Sequence, residues 1–148
     1  MSDERGGIAK IPIQISRNCV IASIQIDLSD AVLRQFRTEL LELIQSSGAH
    51  GVILDVSGIE VMDYEDFEAL HKTMAMARLM GAPSVLAGLQ AGVVSSLVEL
   101  GAETDDIVAA MDLDDAFRVM DQLRATTDRD NHEDRRDERL QASAPNQL

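Results

Sequence analysis

The run "HGVILDV", His50 to Val56, constrains the fold more than any other segment. Its apolar residues are consecutive rather than alternating. Successive side chains on a strand leave from opposite faces, so such a run is stable only when both faces are covered. On both sides of it the period changes. Val32, Phe36, Leu40, Leu43 and Ile44 recur at helical spacing, as do Phe67, Leu70, Met74 and Ala77. A doubly covered strand flanked by amphipathic helices predicts a parallel crossover and an α/β domain.

The remaining segments extend that pattern. "IAKIPIQIS" (8–16) alternates Ile11, Ile13 and Ile15 with Pro12, Gln14 and Ser16, a strand period, and Pro12 assigns it to a sheet edge or marks the strand's own start. "NCVIASIQI" (18–26) is β-branched and apolar. Ser16, Arg17 and Asn18 read as the tight turn of a hairpin. The first helix starts at Ser29 or Asp30 and stops at Gly48. The second runs from Asp63 to Met80 and stops at Gly81. "PSVLAG" (83–88) is an inner strand, Val93–Leu100 a third helix and "DIVAA" (106–110) a short edge strand. Asp112–Leu123 is a last helix with Leu113, Ala116, Phe117 and Met120 inward. The expected order is β-β-α-β-α-β-α-β-α, a small mixed sheet covered by about four helices.

The apolar pattern defines one domain over residues 8–124. Residues 1–7 are polar and glycine-rich and read as a flexible lead. Residues 125–148, "ATTDRDNHEDRRDERLQASAPNQL", bury too little to order themselves and read as a disordered charged tail with, at most, a helical stub.

Charge and composition exclude several functions. The formal charge of −13 repels phosphate backbones and anionic membranes, so neither nucleic acid nor a membrane is an expected partner. No apolar run approaches the roughly 20 residues that span a bilayer. The first residues do not read as a signal peptide. One cysteine, Cys19, fits a reducing, cytoplasmic compartment and an inert core thiol. Phosphate-binding glycine motifs, metal-ligand spacings and nucleophile elbows are all missing, so no cofactor or metal is expected.

One stretch remains unexplained by folding alone: "DVSGIEVMDYEDFEAL" (55–70). Asp63 is a good N-cap, Asp66 can reach back as in a capping box, and Glu65 and Asp66 suit the helix dipole. That local account outweighs a metal-dependent hydrolase built on these acids. Tyr64 has no such account. It stands at the first helical position, outward, beside amides that would hold a phosphoryl group.

The hairpin, "VILDVSGIEVMD" and "ARLMGAPSVLAGLQAGVVSSLVELGAETDDI" together resemble STAS domains, the anti-sigma-factor-antagonist fold. The likeness spans about Ile8 to Leu123 and is closest to RsbS-like stressosome scaffolds. It implies a non-enzymatic regulator that self-associates, assembles with RsbR-type STAS proteins and holds an RsbT-type switch kinase. In such proteins the kinase phosphorylates a serine at the start of the second helix. That position is Tyr64 here, a departure from the pattern. Ser57, Gly58, Asp63, Tyr64, Glu65 and Asp66 are the partner-binding candidates the resemblance implies, with Ser95 and Ser96 as secondary phosphorylation candidates. A free-standing anti-sigma factor antagonist acting on one kinase is the alternative.

Overall fold

Apolar strands gather into one five-stranded sheet of order β1-β2-β3-β4-β5 in the computed structural model, which describes residues 10–25 and 27–143. β1 (Ile13–Ser16) and β2 (Cys19–Ser23) form the antiparallel hairpin. Its turn needs two left-handed residues, and Arg17 (φ 53°) and Asn18 (φ 61°) supply them. This is the two-residue loop whose twist matches the strands it joins. β3 (Gly51–Asp55), β4 (Ser84–Ala87) and β5 (Val108–Ala110) then add in parallel, each after a helix. Pro12 precedes the edge strand β1, where its missing N–H costs nothing to the ladder.

The crossovers leave α1 (Asp30–Ser47), α2 (Tyr64–Leu79) and α3 (Ala91–Glu99) on one face. Val20, Ala22, Val52, Leu54 and Leu86 on that face meet Phe36, Leu40, Phe67, Leu70, Val93 and Leu97 from the helices. The opposite face carries Cys19, Ile21, Ile53, Val85 and Ala87, and one helix, α4 (Leu113–Ala142), covers it with Ala116 and Met120. β3 is therefore covered on both sides, as its unbroken apolar run requires. Gly51 lets α4 lie close: a Cβ there would sit 2.6 Å from the Met120 sulfur. Caps match the local signals. Ser29 accepts from the Val32 amide at 3.2 Å and Gly48 takes the left-handed C-terminal position at φ 68°.

Three boundaries depart from expectation. β1 begins at Ile13 and β5 at Val108, later than the apolar runs, while α3 begins two residues early at Ala91. The larger difference is at the C-terminal end. Of the disordered tail expected over residues 125–148, residues 125–142 are helix instead, because α4 continues to Ala142, and 144–148 lie outside the described residues. Every described side chain from Ala125 to Ser143 is nonetheless exposed. Burial is not what extends this helix. Neither Gly nor Pro interrupts residues 113–142, and adding a residue to a nucleated helix gains a hydrogen bond at little cost. The lead, residues 1–7, lies outside the described residues.

Candidate functional site

The carboxyl ends of the parallel strands all open at one rim. The ladder holds to its last residue, with Ile24 N–H donating to Asp55 O at 2.9 Å, Val56 N–H to Ala87 O at 2.9 Å and Gly88 N–H to Ala110 O at 3.1 Å. Asp55 then turns the chain by accepting the Ser57 amide at 3.0 Å, an Asx-turn. Ser57 O in turn accepts from Gln90 Nε2 at 2.9 Å, which ties the start of α3 to the loop before α2. Gly88 sits against this loop at φ 79°, and a Cβ on it would come within 2.8 Å of Ser57 Cβ. Gly58 packs as closely on Gln25. The rim is thus fixed by small residues and backbone bonds, while Ile59 and Met62 anchor it in the core.

On this scaffold the α2 tip carries the charge. Asp63 caps the helix and accepts the Asp66 amide at 2.8 Å. That is the expected half of the capping box. The Asp66 carboxyl lies near Asp63 rather than neutralised by a cation. Partial burial, then the charges of Asp63, Asp30 and Glu65, hold it above the usual aspartate range. Beside it opens a cleft of about 480 Å³ between the β2–α1 and β3–α2 loops, lined by Asp27, Gly58, Glu60, Val61, Asp63 and Asp66. Val61, 86% exposed, is an apolar point on an acidic surround. Among the described residues, no three His, Cys, Asp or Glu side chains converge as a metal site.

Tyr64 is half-buried rather than fully outward. Its hydroxyl donates to Glu68 Oε1 at 2.9 Å, one turn further along α2. The phenol therefore lies along the helix, away from the N-terminal amides. The Glu68 hydrogen bond and charge raise the phenol above its ordinary pKa.

The structure brings Ser57, Gly58, Asp63, Tyr64, Glu65 and Asp66 to one end of the sheet. Ser95 and Ser96 are exposed but lie further down α3. Sequence reasoning missed Gln25, Asp27 and Gln90, which join the rim only through tertiary contact. No spacing rule announces His71 either, whose Nε2 is 2.9 Å from both Asp106 oxygens, pinning the loop before β5 to α2.

The geometry is a three-on-one α/β layer with an acidic rim and a tip on which Asp63 caps α2. The STAS domain model matches residues 10–123, and the chain belongs to the STAS family. Among solved structures it is similar to a serine-to-glutamate variant of RsbS from Moorella thermoacetica, with 27% identity and a TM-score of 0.68 over 78% of this chain and 97% of that one. A chain from the molecular architecture of the stressosome, described as a signal integration and transduction hub, matches with 28% identity and a TM-score of 0.67 over 76% and 97%. A putative anti-sigma factor antagonist from Thermotoga maritima shares the fold at 14% identity and a TM-score of 0.63, over 74% and 93%. Comparison with curated proteins gives no match. Among the described residues no helix is long and apolar enough to cross a membrane.

Proposed function

We propose that this STAS protein is a non-enzymatic regulatory scaffold in the cytoplasm. It assembles with copies of itself and with RsbR-type STAS proteins into a stressosome particle and holds an RsbT-type switch kinase. The observation that carries the reading is the likeness to RsbS and stressosome chains across 97% of their length at 27% and 28% identity. The rim supports it as the docking surface. Ser57, Gly58, Asp63, Tyr64, Glu65 and Asp66 lie together on a rigid edge, which suits recognition by another protein better than turnover.

The α2 tip acts without a phosphate in this reading. A phosphoryl group on Tyr64 would lie beside Glu68, which already accepts the hydroxyl at 2.9 Å, and like charges would repel it. Glu65 and Asp66 instead provide fixed negative charge, comparable to the roughly −1.5 to −2 of a phosphoserine. The tip is therefore negatively charged with Tyr64 unmodified.

Co-expression with RsbR-type and RsbT-type partners, followed by light scattering and intact-mass measurement, tests this. The expected result is a megadalton particle in which this chain carries no phosphate. A small species that binds one kinase alone would favour the free-standing antagonist. The Tyr64→Ser variant should gain one phosphate and release kinase. If it only weakens binding, Tyr64 is an anchor and the fixed-charge account fails.

A further inference from the structure

At the opposite end of the sheet from the rim, the amino ends of β4 and β5 open into a groove of about 920 Å³ between α2 and α4. That is within the range of small-molecule sites. Its walls are mainly apolar: Met74 and Leu79 from α2, Pro83 before β4, Ile107 before β5 and Leu123 from α4. Leu79 is 89% exposed, an apolar side chain left uncovered on the groove wall.

His71, Arg78, Ser84, Asp106 and Thr127 interrupt this surface, and their pairing differs. Asp106 is hydrogen-bonded to His71 Nε2 at 2.9 Å, so its carboxylate has a partner. Arg78 has none: among the described residues no carboxylate lies within ion-pair distance of it, although Asp106 is near enough to feel its charge. Ser84, which opens β4 in the groove, is 9% exposed, and its Oγ has no hydrogen-bond partner. Buried hydroxyls are normally satisfied. One unpaired cation and one unpaired hydroxyl beside an apolar trough favour a ligand with a singly charged anionic head and an aliphatic body.

We infer that the groove between α2 and α4 binds a medium-chain aliphatic carboxylate, with Arg78 taking the carboxylate, Ser84 its second polar partner and Met74, Leu79, Ile107 and Leu123 the chain. This does not depend on the stressosome reading, because the groove and the rim lie at opposite ends of the sheet.

Titration calorimetry of the full chain with octanoate, below its micellar concentration, tests the site, with 1-octanol as the uncharged probe. Octanoate is expected to bind saturably at one site, more tightly than octanol. Backbone NMR shifts should be confined to residues around Met74, Arg78, Ser84, Ile107 and Leu123. Arg78→Gln should weaken octanoate by about tenfold, the scale of a charge-assisted hydrogen bond, and leave octanol unchanged. Ser84→Ala, which keeps the core volume nearly intact, should weaken octanoate by a few-fold. Failure to saturate, shifts elsewhere, or octanol binding as tightly as octanoate with Arg78→Gln unaffected would each overturn the site.

Discussion

The two ends of the sheet solve the same problem in opposite ways. At the carboxyl-end rim, loops are held by local bonds: the Asp55 Asx-turn, the Asp63 cap and the Gln90 tie. What is left over is negative charge. At the amino-end foot, α2, α4 and the strand starts do not close, and what is left over is apolar surface with one unpaired arginine. The rim presents a rigid charged edge suited to a macromolecule; the foot is concave and suited to something small. One α/β layer can therefore present two unlike surfaces, because strand direction separates them.

The rim's rigidity is the first thing to break. Gly88→Ala forces a side chain into a left-handed backbone and against Ser57. Unfolding in urea should show a loss of about 3 kcal/mol, from strain plus overpacking. Asp63→Ala should cost less, about 1 kcal/mol, the usual price of a helix cap. The foot should answer with the opposite sign. Ser84→Ala removes a buried hydroxyl without a partner and should raise stability by about 1 kcal/mol. A fall in stability there would mean that the hydroxyl has a partner after all.

Acid sharpens the contrast without a large energy. Asp66 at the rim has a raised pKa, from burial and then from neighbouring acids. Its contribution to stability is full below the ordinary carboxylate range and is lost as pH rises through its folded value. Asp106 at the foot is lowered, first by the His71 hydrogen bond. Its contribution is full above the ordinary aspartate value and is lost as pH falls through the lowered one. Urea midpoints followed across the acidic range should therefore change in opposite directions for Asp66→Asn and Asp106→Asn. Parallel changes would break the contrast.

The rim was more legible in the sequence than the foot, for a physical reason. Caps and Asx-turns are made by residues two or three apart, so Asp63 and Asp66 announce their roles in order. The doubly covered β3 and the helix periods of α1 and α2 are equally local and placed the sheet. The foot joins residues from His71 to Thr127, which no spacing rule connects. The α4 extension was missed for a different reason. Its burial ends at Leu123, and the sequence reading equated loss of burial with loss of order, whereas helix propagation needs only an unbroken backbone.

The central claim is that the acidic α2 tip is where a partner docks. Exchanging Glu60 and Glu65, both exposed, for lysine cancels the formal charge of Glu60, Asp63, Glu65 and Asp66 without touching the core. Affinity for the RsbR-type and RsbT-type partners, measured by calorimetry alongside the melting temperature, decides it. The account predicts binding weakened by about tenfold or more, with a melting temperature lowered by no more than about the few degrees that loss of one helix-dipole interaction explains. Undiminished binding by the neutralised tip would contradict it.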